Sequence, residues 1–151
     1  MKHVKKSVLL SYSAHEMYAL VTDVQAYPQF LPWCAKSEVL ATTEHSMTAR
    51  LTLSYGGIRH AFTTQNQHVT DRSVLVGLVD GPFSLLDGHW QFLPLGAAGS
   101  TPLQACKVEL DLRYAFANGA LEAVVSPVFD RVANTLVDSF VRRAEQVHGP
   151  R

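Results

Sequence analysis

A chain of 151 residues is long enough to bury the core of one domain, and 47% hydrophobic against 17% charged residues excludes an intrinsically disordered chain. Lysines and arginines number 13, as do aspartates and glutamates, so no net field draws the molecule to nucleic acid or anionic lipid, and DNA is not an expected partner. Cys34 and Cys106 form neither a zinc-type nor a thioredoxin-type pair, and no apolar run reaches the length of a membrane span. The expectation is a soluble protein of a reducing, cytoplasmic compartment, at most peripheral at a membrane.

Val4 to Leu10 reads as a first strand. Ser13 then opens SAHEMYALVTDV, with Glu16 at capping-box spacing and Met17, Leu20, Val21 and Val24 on one helical face. That helix is expected to end between Asp23 and Ala26, because the residue before Pro28 disfavours helical backbone. Asp23 stands where the helix dipole disfavours a negative charge. Its carboxylate is expected to accept hydrogen bonds from the following backbone, with an acid/base role as the alternative. The next stretch, AYPQFLPWC from Ala26 to Cys34, holds three aromatics, two prolines and no charge. A nucleophile loop around Cys34, a metal clip, a core plug and the lip of an apolar site are all readings of it. A cysteine between Trp33 and Ala35 is more often a small buried hydrophobe than a nucleophile.

From Ser37 to about Phe116 the period is two. Ala49, Leu51, Leu53 and Tyr55 alternate with polar residues, and Gly56-Gly57 signals a hairpin. A polar strand over His60 to Thr70 and an apolar one over Ser73 to Asp80 follow. Asp80-Gly81-Pro82 reads as a turn, and alternation resumes through Trp90 and Phe92. A second apolar, turn-rich segment here, DGPFSLLDGHWQF, is expected either to be a plain hairpin or to join AYPQFLPWC in gating a cavity. GAAGSTP is expected to be a loop. Cys106 to Phe116 is the clearest half-buried strand. The last third is one long helix with Leu121, Val124, Val125, Val128, Phe129, Val132, Leu136, Val137 and Phe140 on its apolar stripe. Pro127 either opens its main part, with Ser126 as cap, or kinks it.

The element order predicts a single α+β domain over 1–151: a curved antiparallel sheet of about six or seven strands wrapped around the C-terminal helix. Chemistry is sparse. His3, His15, His45, His60, His68, His89 and His148 show no metal or protease spacing, and no nucleophile elbow, phosphate loop or dinucleotide fingerprint appears. Neither a catalytic residue nor a metal site is expected. Lys2, His3, Lys5 and Lys6 would form a basic patch with Arg142, Arg143, His148 and Arg151 only if the fold joins the two ends; two solvated ends is the simpler expectation.

Three motifs run in order along most of the chain. They are Asp23-Val24, Tyr27-Pro28 and Phe30-Leu31-Pro32-Trp33-Cys34; then Gly81-Pro82-Phe83 with Leu86, Gly88, Trp90 and Phe92; then Pro127-Val128-Phe129-Asp130-Arg131 leading to Asn134, Leu136, Val137 and Phe140. Together they resemble the coenzyme Q-binding START-domain proteins, a group that includes the bacterial ribosome association toxins and shares a wider fold with polyketide cyclases. The resemblance implies a helix-grip fold with an apolar cavity between sheet and helix, used for a polyprenyl quinone or related lipid, and no established catalytic residues. No cofactor is implied beyond such a lipid. The residues expected to line the cavity are Tyr27, Phe30, Leu31, Trp33, Leu53, Tyr55, Phe83, Leu86, Trp90, Tyr114, Val128, Phe129, Val132 and Leu136. The hydroxyls of Tyr55 and Tyr114 are candidates to meet a quinone carbonyl, against the simpler expectation that each bonds backbone or water.

Two functions follow from the resemblance. One is non-catalytic carriage of a ubiquinone-like lipid in support of respiration or quinone synthesis, with transient contact at the inner membrane. The alternative is a toxin that acts on the large ribosomal subunit to block subunit joining, which needs exposed basic residues such as Lys2, Lys5, Lys6, Arg142 and Arg143. Aromatase or cyclase chemistry comes third, since no acid/base set supports it.

Overall fold

The computed structural model describes residues 1–95 and 105–151. The GAAGSTP segment expected as a loop lies outside the described residues. The elements are β1 (Lys2–Leu10), α1 (Ala14–Thr22), a 3-10 segment (Val24–Gln29), β2 (Cys34–Thr42), β3 (Ser46–Tyr55), β4 (Ile58–Val69), β5 (Ser73–Asp80), β6 (Phe83–Pro94), β7 (Cys106–Phe116) and α2 (Gly119–His148). The strands form one antiparallel sheet in the order β1-β7-β6-β5-β4-β3-β2. This is the helix-grip arrangement: a curved seven-stranded sheet around a helix ~45 Å long at 1.5 Å per residue.

Local chemistry accounts for the boundaries. Ser13 and Glu16 complete the capping box, Glu16 N–H donating to Ser13 Oγ at 3.0 Å and Ser13 N–H to Glu16 Oε1 at 2.9 Å. Gly56 and Gly57, with φ of 59° and 83°, make the two-residue turn between β3 and β4, a conformation that matches strand twist. Register shifts in β2, between β4 and β5, and at the start of β6 bend the sheet around the helix. Gly81 has a φ of 153°, and a Cβ there would lie 2.7 Å from Phe62 Cβ, so the backbone of the β5–β6 turn passes directly against β4.

Three expectations change. Asp23 caps nothing with its side chain; its backbone carbonyl accepts from Ala26 N–H at 3.1 Å instead, and the carboxylate stays in solvent. Pro127 does not start α2. Asn118 does, its Oδ1 accepting from Leu121 N–H at 2.9 Å, and the Ser126 hydroxyl turns to Asp130. Val124 faces solvent rather than the core, because it falls outside the arc shared by Val125, Phe129, Val132 and Phe140. The two apolar segments meet on α2, where Tyr27 and Phe30 of the first and Trp90 of the second all pack on Phe140. Phe83, at the start of the second segment, meets Phe129, eleven residues or ~16 Å from Phe140 along the helix. Both segments contribute to one cavity wall, Tyr27 and Trp33 from the first and Leu86, Gly88 and Trp90 from the second, which forms β6 from Phe83. The chain ends stay apart, in line with the simpler expectation. Lys2 bonds Asp130, while Tyr12 Oη donates to Gly149 O at 2.7 Å, ~28 Å further along α2.

Candidate functional site

The concave face of the sheet does not close completely on α2. A cavity of about 100 Å³ remains between them. The sheet supplies Ala49 and Leu51 from β3, Phe62, Thr64 and Asn66 from β4, Val76 from β5, Leu86, Gly88 and Trp90 from β6, and Leu110 and Leu112 from β7. Phe129, Val132, Leu136 and Phe140 cover them at helical spacing, and Val24, Tyr27 and Trp33 complete the wall. The wall is apolar except for Thr64 and Asn66, whose side chains bond each other at 3.0 Å, and the phenol of Tyr27. That phenol donates to the Val21 carbonyl, and burial, with the Cys34 and Asp23 charges behind it, pushes its pKa up. Among the described lining residues there is no carboxylate, imidazole, amine or thiol. The cavity can take an apolar group and offers nothing placed for proton transfer.

A second depression lies on the outer side of α2, about 190 Å³ in volume, between the helix and the Pro32–Trp33 corner. Tyr55, Val128, Arg131, Val132, Thr135, Ser139 and Arg142 complete it. The Arg131 guanidinium sits over the Tyr55 ring, 5.6 Å from its centroid. Arg142 Nη2 donates to Ser139 Oγ at 3.4 Å. Nearby, Arg143 donates to Gln29 Oε1 at 3.0 Å and lies over Phe30 at 5.0 Å.

Of the residues expected to line the cavity, Tyr27, Trp33, Leu86, Trp90, Phe129, Val132 and Leu136 do so. Tyr55 and Val128 stand in the outer groove, whose wall also includes Trp33 and Val132. Leu31, Leu53 and Phe83 are buried in the surrounding core, and Phe30 packs between Tyr27 and Phe140. Tyr114 packs its ring on Phe129, and its hydroxyl donates to Asp130 Oδ1 at 2.6 Å rather than entering the cavity. Asp130 also receives Lys2 and Ser126; burial alone would raise its pKa, but these donors together with Tyr114 hold it below the usual carboxylate range. Thr64 and Asn66, the polar pair that faces the cavity, were not expected. The signal was the alternation Phe62, Thr64, Asn66 along a strand whose polarity concealed its buried face.

Cys34 is buried, its thiol donating to Lys36 O at 3.5 Å, and burial pushes its pKa up to about 11. It is held as the thiol, not the nucleophilic thiolate. Among the described residues no three histidine, cysteine or acidic side chains converge as a metal site, and no helix is long and apolar enough to cross a membrane.

Comparison with known proteins places this architecture. Residues 10–141 match the family model described as polyketide cyclase / dehydrase and lipid transport. The ribosome association toxin RatA of Pseudomonas aeruginosa is 43% identical over 97% of this chain and 98% of its own. RatA of Escherichia coli is 42% identical over all of this chain and 92% of its own. Coenzyme Q-binding protein COQ10 homolog B of Xenopus laevis is 27% identical over 95% of this chain and 58% of its own. Among solved structures, a START superfamily protein of Mycobacterium smegmatis superposes with a TM-score of 0.77 at 21% identity, covering 96% of this chain and 98% of that one. The Zhui aromatase/cyclase of Streptomyces sp. R1128 gives 0.75 at 18%, covering 99% of each chain. At those identities the likeness is one of fold. With the model matched over most of its length and RatA proteins aligned with it nearly end to end, the chain belongs to the polyketide cyclase / dehydrase and lipid transport family.

Proposed function

We propose that the protein acts by associating with the ribosome, as the name of its RatA relatives states of them, and that it does so on the large subunit and without catalysis. The observation that supports this reading is similarity at 42–43% identity running through nearly the whole of both chains. Cavity size points the same way. About 100 Å³ is well below the ~300–1,000 Å³ of pockets that enclose a drug-sized ligand. A polyprenyl quinone therefore requires the helix or the Trp33 corner to move.

Quinone carriage is the second reading, favoured by the apolar cavity wall and the weaker likeness to a coenzyme Q-binding protein. One preparation separates them. Purified protein is sedimented through sucrose gradients with isolated ribosomal subunits at rising salt, and a parallel sample is solvent-extracted for mass spectrometry. Comigration with the large subunit, lost as salt rises, together with an extract free of quinone is the expected result. Stoichiometric quinone in the extract, with no comigration at low salt, overturns the ribosome reading in favour of the lipid one.

A further inference from the structure

We propose that the outer groove beside the Pro32–Trp33 corner holds a short single-stranded segment of RNA, its phosphates on Arg131 and Arg142 and a base against Tyr55. For its biological partner this rests on the ribosome reading; for its chemistry it rests on the groove. Two guanidiniums line the groove and no carboxylate does. Among the described residues neither Arg131 nor Arg142 has a carboxylate within ion-pair distance, so an arriving phosphate has no internal anion to displace. The acids nearest in sequence, Asp130 beside Arg131 and Asp138 and Glu145 within a turn of Arg142, do not line the groove. The net charge of the whole chain is zero, so binding here depends on local arrangement rather than a global field.

The arrangement suits a strand better than a single phosphate. Arg131 and Arg142 are eleven residues apart, which returns them to the same helix face ~16 Å apart along the axis. That span takes more than one phosphate of an extended chain. At one end Tyr55 is 41% exposed with a guanidinium already over its ring, the pairing of aromatic surface and cation on which unpaired bases stack.

The hydroxyls discriminate further. Thr135 Oγ1 donates to Arg131 O at 2.8 Å, and Ser139 Oγ donates to Thr135 O at 3.1 Å. Both protons are committed to the helix; Ser139 is buried and its Oγ already accepts from Arg142, so it is the exposed Thr135 Oγ1 that offers acceptor capacity outward. A ribose 2′-hydroxyl donates to such an oxygen, and a deoxyribose has nothing to give.

The test uses the full chain with Arg131→Gln, Arg142→Gln, their double variant and Tyr55→Leu. Lys5→Gln/Lys6→Gln on β1, at the opposite edge of the sheet from β2, serves as the charge control. Thermal midpoints establish that each variant is folded. Fluorescence anisotropy then measures binding to a labelled oligouridylate, to the matching oligodeoxyuridylate and to phosphatidylglycerol vesicles, and gradients measure comigration with large subunits. Each arginine substitution is expected to weaken RNA binding about tenfold and to flatten its salt dependence by about one phosphate, with the lysine control unchanged. Tyr55→Leu is expected to weaken binding by about tenfold as well, with the salt dependence unaltered. Wild-type comigration that survives the double arginine variant, with oligouridylate binding equally unaffected, overturns the groove and leaves the ribosome reading standing. Oligouridylate binding that needs both arginines, without any comigration of the wild type, upholds the groove and removes the ribosome reading. Equal affinity for the deoxy strand, or arginine-dependent binding to vesicles alone, overturns the assignment to RNA.

Discussion

Replacing Ala49 by leucine tests whether the space under α2 exists in solution. Ala49 is fully buried in the middle of β3, opposite Val39 and Thr64, and lines the cavity. At ~24 cal/mol per Å³, an unfilled space of about 100 Å³ represents at most roughly 2.4 kcal/mol of packing energy not realised. Leucine adds three methylene-sized groups, worth up to ~0.8 kcal/mol each if all are accommodated. Lost rotamer freedom and imperfect fit remove about half or more of that sum. The expected net gain is therefore about 1 kcal/mol, a rise in melting temperature of roughly 2–4 °C for a domain of this size. Urea denaturation with an unchanged slope, paired with calorimetry, reads it directly. Destabilisation by more than about 1 kcal/mol is the overpacking result and would refute the claim that the cavity is available. The same variant divides the two functional readings. Comigration with large subunits should be untouched, whereas a quinone that occupies this cavity should be excluded.

Three further outcomes are expected. Gly81→Ala forces a Cβ to within 2.7 Å of Phe62 Cβ at a φ that disfavours side chains, so the urea midpoint should fall by the equivalent of ~2–3 kcal/mol; an unchanged midpoint contradicts the close approach of the turn to β4. The Arg151 guanidinium, 2.7 Å from Glu16, holds that carboxyl at about 2, with the Ser13 cap adding to the effect and burial opposing it. Because the folded value lies below the usual 4.5, the stabilisation is complete above that pH and is lost as pH falls from about 4.5 towards 2. Arg151→Gln should flatten the pH dependence of stability in that window, and an identical profile would refute the pairing. Burial holds both thiols at about 11, with Glu16 a further influence on Cys106, so native protein should react with Ellman's reagent at pH 8 only as fast as it opens; immediate reaction of either cysteine would show an accessible thiolate.

What could be read from the sequence was whatever a local period or a cap controls. The Ser13–Glu16 box, the Gly56-Gly57 turn and the alternation of β7 each depend on neighbours in sequence, and the structure follows them. The arc of α2 was legible to within one residue, because Val124 differs from Val125 only by the 100° step that turns it to solvent. The site was less legible because face and depth are long-range properties. Tyr55 continues the inward alternation of Ala49, Leu51 and Leu53, yet β3 ends there, and without sheet beyond it the ring meets Arg131 outside the cavity. Tyr114 does point inward, but its hydroxyl is claimed by Asp130, sixteen residues away across the turn into α2. Thr64 and Asn66 carried the opposite disguise, polar side chains on the concave face that satisfy each other and so bear burial. Arg131 and Arg142 stand on the exposed side of α2. Only the Pro32–Trp33 corner packed beside that side turns two exposed cations into the walls of a groove.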